Sequence, residues 1–479
     1  MNRSIRIMAL FSLLLVAILL VNLTVIQAFS TDKYAENPLN RRGYYELRTI
    51  ARGQIYADNT VLAQSTADSE GVYTRTYPET SPAYSPITGY LSQIYGAANL
   101  EASYNAVLNG TDPSLFTNNW MDTITGKQHA GANVEVSIDP ALQQLAYTQL
   151  NSQGYEGAAV AIQPSTGKIL AMASSPSYAA ADIANPETAE QTWAQLQEQP
   201  GNPFVNHATA DTLPPGSIFK IVTTAAGLSN GFNPESPLTG QPSIFLPGTE
   251  TELTNYDSQI CGGAATVTLT TAFALSCNTA FVQMSEAIGA EELRKYADGF
   301  GIGQQYDLGV PSASGSLGEL PDAAQTAQSA IGQRDVTMSA LQAAIMAGTV
   351  ANKGVRMQPY LVERITDAKM KEISTTKPRV AAQAVEEPVA NTLRDLMFAS
   401  ERNTFGYDGN GFASKTGTAE HGEGLPPHVW YVAFDPERDI AVAVVVKDGG
   451  NLGTGATGGQ VSSPIGRALL YAYNGGDNK

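Results

Sequence analysis

"HVWYVAFDPERDIAVAVVVK", residues 428–447, carries the clearest fold signal in the chain. Two runs rich in valine, alanine and aromatic residues flank a polar turn from Asp435 to Asp439, a pattern typical of a β-hairpin. The segment "GAAVAIQPSTGKILAMASS", residues 157–175, predicts a second pair of strands joined by a short turn. Segments with helical patterning lie between the two pairs. The sequence therefore predicts an α+β fold in which an antiparallel sheet packs against a helical subdomain.

An uncharged apolar run lies near the beginning of the chain. It extends over 23 residues from Ile7 to Phe29 and follows Arg3 and Arg6. A helix of that length is about 35 Å long, enough to cross the ~30 Å hydrocarbon layer. The basic pair favours an N-terminus that stays inside, with the rest of the chain outside. A cleaved signal peptide ending at Ala28 is the alternative, but the run exceeds the usual signal core of about 7 to 15 residues, which favours a retained anchor.

Composition limits the kinds of protein this chain can be. Its 479 residues are 43% hydrophobic and 15% charged, which is enough for two or three domains with cores. The net charge of −17 argues against a nucleic-acid-binding protein and fits an acidic exported domain. Changes in sequence character predict four parts: a tail at 1–6, a transmembrane anchor at 7–29, a small mixed domain at 30–133 and a larger domain at 134–479.

The two cysteines, Cys261 and Cys277, have no Cys or His nearby at metal-ligand spacing. In an oxidising compartment a disulfide between them is expected, and closing this interval would contribute on the order of 3 kcal/mol. Two free buried thiols are the alternative. The four histidines are scattered along the sequence, so we expect neither a catalytic metal nor a cofactor.

"TLPPGSIFKIVTTAAGL", residues 212–228, places Ser217 and Lys220 one helical turn apart in an apolar run. Residues i and i+3 share a helix face, so the serine oxygen and the lysine nitrogen can meet. Apolar neighbours, a second ammonium and the positive end of the helix dipole would all lower the pKa of this lysine. A neutral lysine can then activate the serine as a nucleophile. The spacing alone is weak, because three other Ser-x-x-Lys matches occur in the chain.

Two later segments add to this motif. Ser276 and Asn278 form a Ser-x-Asn triplet between two apolar helical segments, where helix capping would be the ordinary explanation. Lys415, Thr416 and Gly417 form the single Lys-Thr-Gly in the chain and stand just before the hairpin, so we expect them on an edge strand. Ser-x-x-Lys, Ser-x-Asn and Lys-Thr-Gly in this order are the signature of penicillin-binding proteins and serine β-lactamases.

The phrases around these motifs resemble the penicillin-binding protein transpeptidase family. They include "IDPALQQLA", "AAVAIQPSTGKILAMASSPSY", "LPPGSIFKI", "FALSCNTAF", "AIGQRDVTMSALQAA" and "SKTGTAEH", and they span most of residues 134–479. "NRRGYYELRTIARGQIYADNTVLAQS", "RTYP" and "GAANLEASYNAVLNG" resemble the pedestal of the monofunctional, class B members. The interval 30–133 is too short for a glycosyltransferase domain of roughly 200 residues. Within class B the chain is most similar to actinobacterial members.

This resemblance implies a D,D-transpeptidase that cross-links peptidoglycan stem peptides and is the target of β-lactam antibiotics. Ser217 would attack the carbonyl between two terminal D-alanines while Lys220 takes its proton. Ser276 would relay a proton to the leaving amine, and Asn278 would bind the donor peptide.

The resemblance also assigns substrate binding to the third motif. Lys415 would attract the substrate carboxylate with help from Thr416 and Thr418, and Gly417 would leave room for the substrate backbone. The backbone N–H groups of Ser217 and Thr418 would form the oxyanion hole. The resemblance implies that the partner is a SEDS-type membrane glycosyltransferase, acting with division or elongation proteins.

Two residues depart from the family pattern, and other kinds of protein share the motifs. Arg334 stands where the family often has glycine, either near the cleft or on its rim, and Cys277 stands where β-lactamases usually have aspartate. A D,D-carboxypeptidase or a β-lactamase would use the same first steps and then deliver water to the acyl-enzyme. A non-catalytic β-lactam sensor or a division scaffold would only bind in the pocket.

Overall fold

A computed structural model describes residues 2–29, 48–78, 80–116 and 130–474. The strands, in chain order, are β1 (Ile55–Ala57), β2 (Thr60–Ala67), β3 (Tyr73–Thr76), β4 (Leu91–Ser92), β5 (Gly96–Ala97), β6 (Asn133–Val136), β7 (Gly157–Ile162), β8 (Ile169–Ser175), β9 (Pro237–Thr239), β10 (Ser243–Phe245), β11 (Glu252–Thr254), β12 (Thr266–Thr268), β13 (Val355–Met357), β14 (Val362–Thr366), β15 (Glu372–Thr375), β16 (Val380–Gln383), β17 (Ala413–Ala419), β18 (His428–Asp435) and β19 (Ile440–Val446). The helices are α1 (Asn2–Phe29), α2 (Ser81–Thr88), α3 (Asn99–Ser103), α4 (Asn105–Leu108), α5 (Pro113–Phe116), α6 (Pro140–Asn151), α7 (Ala180–Ala184), α8 (Ala189–Glu198), α9 (Lys220–Ser229), α10 (Leu269–Ala274), α11 (Asn278–Phe300), α12 (Ala323–Ala330), α13 (Ala340–Ala351), α14 (Glu387–Arg402) and α15 (Gly458–Ala472).

The main sheet has five strands in the order β17-β18-β19-β7-β8, and every neighbouring pair is antiparallel. Both hairpins predicted from the sequence are confirmed, β7–β8 and β18–β19, and the Lys-Thr-Gly strand β17 lies at the edge as expected. The α+β fold is therefore confirmed.

Helices cover both faces of this sheet, which explains its nearly continuous apolar strands. Trp430, Val432 and Phe434 of β18 belong to the core shared with the helical subdomain. The alternate residues Val429 and Tyr431 belong to a second core with α15 and α6. The period of two along β18 thus divides its side chains between two helical layers.

The helical subdomain carries the segments that contain the first two motifs. Helix α9 packs against α11 and α14, and α14 packs against α10 and the edge strand β17. Helix α11 is broken at Gly289, which has a φ of 75°. Ser217 lies in a 3-10 turn, Gly216–Phe219, that precedes α9. Helix α9 begins at Lys220, directly after this turn, so Ser217 and Lys220 are one turn apart as expected.

The second large sheet runs in the order β15-β14-β6-β1-β2-β3, with β1 and β6 parallel. It joins strands from both sides of the domain boundary predicted at 133, because β6, β14 and β15 continue a sheet begun by β1 to β3. Beside it, the buried carboxylate of Glu101 accepts hydrogen bonds from Arg52 Nε at 2.8 Å, Arg75 Nε at 2.5 Å and Tyr77 Oη at 3.1 Å. This network of charge-assisted bonds ties the small domain together.

Helix α1 contains the apolar run identified in the sequence. Among the described residues, Arg3–Ile26 is the helical segment long and apolar enough to cross a membrane, and its side chains are exposed. It therefore fits a membrane anchor.

Candidate active site

Three segments far apart in sequence meet at one end of the helical subdomain, beside the edge of the main sheet. They are the turn that carries Ser217, the loop of Ser276 between α10 and α11, and strand β17 with Lys415. The structure thus brings the three predicted motifs together.

Close backbone contacts hold the serine turn against β17. Gly216 has a φ of 53°, and its N–H donates to the carbonyl of Gly332 at 2.9 Å. A Cβ at Gly417 would lie 2.6 Å from the carbonyl oxygen of Pro215, so the strand can approach the turn only with glycine there. The indole of Trp430 donates to the carbonyl of Pro214 at 2.8 Å. These contacts place Ser217, which is half-buried, next to the edge strand.

Lys220 is fully buried, and its ammonium group makes three hydrogen bonds to the second motif. Nζ donates to the carbonyl of Ser276 at 2.8 Å, to Ser276 Oγ at 3.1 Å and to Asn278 Oδ1 at 2.8 Å. It also lies 5.2 Å from the ring centroid of Phe281. Burial, and then the charge of Lys415, lower the pKa of Lys220 well below its ordinary value. Such a lysine is suited to act as a base at neutral pH.

Lys415 also donates to the Ser276 hydroxyl. Its Nζ donates to Ser276 Oγ at 3.0 Å and to the carbonyl of Thr416 at 3.1 Å. Burial lowers the pKa of Lys415 to about 7. Ser276 Oγ is therefore a bridge between two buried lysines, and a proton can pass along it.

The Ser276 backbone is in the left-handed region, with a φ of 61°. A non-glycine residue there costs of the order of 1–3 kcal/mol and needs surrounding contacts to hold it. The next residue, Cys277, is buried and forms a disulfide with Cys261, with the two Cα atoms 5.8 Å apart. The disulfide expected from the sequence is thus present, and it ties the second motif to the segment before β12.

Not every expected contact is formed. Among the described residues, Lys220 Nζ makes its hydrogen bonds to the second motif and none to Ser217 Oγ. Bonds between nucleophile and base are often long before substrate binds. Thr416 and Thr418 are half-buried on the edge strand. Arg334 is exposed, donates to the carbonyl of Glu319 at 2.6 Å and pairs with Asp335 at 2.9 Å, so its charge is engaged on the surface.

Two features of the structure were not predicted from the sequence. Asn255, in the loop after β11, bonds to the first turn of α11, and no motif marked it. His421 and His428, scattered in sequence, stack 3.9 Å apart at 6° near Asp448. Because the two rings are parallel, their in-plane lone pairs do not converge on one point, as binding one metal ion would require. Burial, and then His421, lower the pKa of His428 to about 4.

Comparisons with known proteins place this site in context. A penicillin binding protein transpeptidase domain model matches residues 157–471, and a penicillin binding protein A dimerisation domain model matches residues 52–134. The chain is 42% identical to peptidoglycan D,D-transpeptidase PbpA of Mycolicibacterium smegmatis and 40% identical to that of Mycobacterium tuberculosis, in each case over 98% of this chain and 99% of the relative. The structure of the M. tuberculosis penicillin-binding protein A as a penicillin G acyl-enzyme complex matches with a TM-score of 0.84 at 41% identity, covering 88% of this chain and 99% of that chain.

Proposed function

This chain belongs to the penicillin-binding protein transpeptidase family, and on that premise we propose that it is a peptidoglycan D,D-transpeptidase acylated on Ser217. The observation that carries the assignment is the Lys220–Ser276–Lys415 chain of hydrogen bonds beside the serine turn. A D,D-transpeptidase needs an activated nucleophile, a route for protons and a cation for the substrate carboxylate. Ser217 would be the nucleophile, Lys220 and Ser276 would carry the protons, and Lys415 would be the cation.

Acylation begins with neutral Lys220. Ser217 Oγ attacks the carbonyl carbon of the terminal D-alanyl-D-alanine bond, and its proton passes to Lys220 Nζ. Backbone N–H groups of Ser217 and Thr418 donate to the developing oxyanion, at about 3 to 4 kcal/mol for each donor. The close packing of Gly216 on Thr418, where a Cβ would lie 2.9 Å from the Thr418 carbonyl oxygen, supports this pairing.

The leaving group departs with a proton relayed through Ser276. Lys220 Nζ donates the proton to Ser276 Oγ, and Ser276 Oγ gives its own proton to the amine nitrogen as the C–N bond breaks and D-alanine leaves. Burial lowers the pKa of Lys415 to about 7, and a substrate carboxylate beside it would favour its charged form. The Thr416 and Thr418 hydroxyls and the Asn278 amide hold the donor peptide. The amine of a second stem peptide then attacks the ester carbonyl carbon, its proton passes through Lys220 Nζ to Ser217 Oγ as the ester C–O bond breaks, and the new amide completes the cross-link.

Fluorescent penicillin followed by peptide mapping tests the proposal. We expect one adduct, on Ser217, that is absent in Ser217→Ala and strongly reduced in Lys220→Ala. Ser165→Ala is a matched control, because Ser165 begins another Ser-x-x-Lys but bonds to Asp439. An adduct on Ser165, or undiminished labelling of Ser217→Ala, would overturn the assignment.

The membrane arrangement and the partners extend this proposal. We place the two N-terminal arginines inside the cell and the catalytic domain outside, where peptidoglycan lies. Protease added to intact spheroplasts should then remove the catalytic domain. We also infer a SEDS-type glycosyltransferase as the membrane partner, acting with division or elongation proteins. Such a partner should co-purify with Ser217→Ala as well as with the wild type, because the contact would not depend on acylation.

A further inference from the structure

The first turn of α11 is capped from outside its own segment. Cys277 is the N-cap residue and gives no side-chain cap, since its sulfur is bonded to Cys261. The free N–H of Thr279 donates instead to Asn255 Oδ1 at 3.1 Å. An N-terminal N–H left without a partner in a buried position would be costly. Asn255 therefore replaces the cap that Cys277 cannot provide.

The Asn255 side chain is fixed in one orientation. It is 6% exposed, and its Nδ2 donates to the carbonyl oxygens of Gln241 at 2.8 Å and Gln259 at 3.1 Å. Its backbone N–H donates to the carbonyl of Pro242 at 2.9 Å. If the amide were flipped, its oxygen would face two carbonyl oxygens, and its NH₂ group would face the Thr279 N–H. The observed orientation is therefore strongly preferred.

Thr254, the residue before Asn255, orients the side chain of Asn278 in the second motif. The carbonyl of Thr254 accepts from Asn278 Nδ2 at 3.0 Å, which leaves Asn278 Oδ1 facing Lys220 Nζ at 2.8 Å. Residues 254 and 255 thus hold the two residues that follow Cys277, while the disulfide holds Cys277 itself. Ser276, in its strained backbone conformation, lies immediately before this anchored turn.

We propose that Asn255 is a positioning residue for acylation: through its bond to Thr279 it holds the start of α11 so that Ser276 Oγ stays between Lys220 and Lys415. Asn255 does not touch the reacting atoms. Its effect passes through the Ser276–Asn278 turn, where a displacement of about 1 Å can reduce a rate 10²-fold. The proposal rests on the proposed function, since it assigns a role to the geometry of the same acylation site.

The test compares Asn255→Ala with Asn133→Ala, measuring the penicillin acylation rate constant k2, the binding constant K and the melting temperature. Asn133 is a matched control in strand β6 of the second large sheet, and it is also 6% exposed. Its Oδ1 accepts from the Gln54 N–H at 2.8 Å, and its Nδ2 donates to the Asp367 carbonyl at 2.9 Å. We expect similar losses of melting temperature in both variants. In Asn255→Ala, k2 should fall about 10- to 100-fold with K little changed. Asn133→Ala should keep the wild-type k2.

Wild-type k2 in a folded Asn255→Ala, or an equal loss of k2 in Asn133→Ala, would overturn the proposal. If Asn255→Ala does not fold, Thr279→Val serves in its place, because it removes the Thr279 hydroxyl bonds to Asn255 Oδ1 at 3.3 Å and to the Gln241 carbonyl at 3.0 Å and keeps the shape of the side chain. This variant should lower k2 by about two- to tenfold, again without changing K, and an unchanged k2 in Thr279→Val would count against the proposal. Failure of wild-type protein to form an adduct on Ser217 would instead refute the proposed function.

Discussion

Asn278→Asp tests whether Lys220 acts as a neutral base. Asn278 Oδ1 accepts a hydrogen bond from Lys220 Nζ at 2.8 Å, and aspartate has nearly the same shape with a negative charge. Opposite charges at this distance attract by about 6 kcal/mol at an effective dielectric constant of about 20, which corresponds to about four pKa units. The second carboxylate oxygen would face the Thr254 carbonyl in place of Nδ2, and this repulsion cancels part of the gain. We expect the pKa of Lys220 to rise by about two to three units.

The direction of the pH effect follows from the form that reacts. Burial and the charge of Lys415 lower the pKa of Lys220, so its neutral form is available at neutral pH in the wild type. In Asn278→Asp the raised pKa keeps Lys220 protonated, and acylation falls about tenfold for each unit by which that pKa exceeds the assay pH. The loss should therefore be largest at low pH and shrink as the pH rises.

The assay is the second-order rate constant for acylation by fluorescent penicillin, measured between about pH 6 and pH 10. Asn278→Ala is the control, since it removes the same hydrogen bond without adding a charge. Its profile should be lower than that of the wild type, with the acid limb at the same or a lower pH. If the Asn278→Asp profile has the same shape as that of Asn278→Ala, the acid limb does not report Lys220, and its role as the base is wrong.

Three further predictions concern the disulfide, the buried Glu101 and the lifetime of the acyl-enzyme. Without reductant, Cys261 and Cys277 should resist alkylation, and replacing both with serine should lower the free energy of unfolding by about 3 kcal/mol, measured in urea; ready alkylation would refute the pairing. Glu101→Gln should cost about 3 to 5 kcal/mol of stability while penicillin acylation stays unchanged, because it breaks two buried ion pairs, with Arg52 and Arg75, in the small domain; a stability within error of the wild type would contradict this. The penicilloyl adduct on Ser217 should persist for minutes or longer, with a deacylation barrier above about 21 kcal/mol. Turnover of penicillin many times per second would favour a β-lactamase instead.

The long-lived adduct has a structural reason. Hydrolysis of the acyl-enzyme needs a base that activates water, often a carboxylate near the serine. Among the described residues, no Asp or Glu side chain makes a hydrogen bond to Lys220, Ser276 or Lys415. Glu420, the acid that follows the third motif most closely, is exposed just beyond the end of β17.

Much of the fold could be predicted because strand periodicity is a local property. The hairpin at 428–447 alternates between two cores, so its pattern appears in the sequence before any tertiary contact is known. The site residues could be predicted because their chemistry is unusual: Lys220 and Lys415 are ammonium groups in segments that are otherwise buried. A helix start is also a local feature: the Asp139 carboxylate accepts from the N–H groups of Ala141 and Leu142 and caps α6, and an Asp-Pro pair is a typical sequence signal of such a start.

The parts that could not be predicted depend on pairings between distant segments. No sequence feature distinguishes Asn255 from other loop asparagines, because its role depends on the position of β11 beside α11. The left-handed backbone of Ser276 could not be predicted either, because serine usually avoids that conformation. The sheet that crosses the predicted boundary at 133 is similar, because the pairing of β6 with β14 joins residues more than two hundred positions apart.

Lys415 and Ser276 are held in place by different kinds of structure. Substitutions near one or the other should therefore differ in how much stability they cost for a given loss of activity. Lys415 belongs to β17, which is paired along its whole length with the fully buried strand β18. Changes in that pairing would therefore lower the stability of the main sheet together with activity. Ser276, which both lysines bind, lies in a loop fixed by one disulfide and by the hydrogen bonds that Asn278 and Thr279 donate to residues 254 and 255. Changes there remove contacts inside the helical subdomain and leave the sheet core intact. Variants of that loop should therefore lose acylation at a smaller cost in stability than variants of the strand, because the sheet sets where Lys415 lies and the loop sets whether Ser276 can bridge it to Lys220.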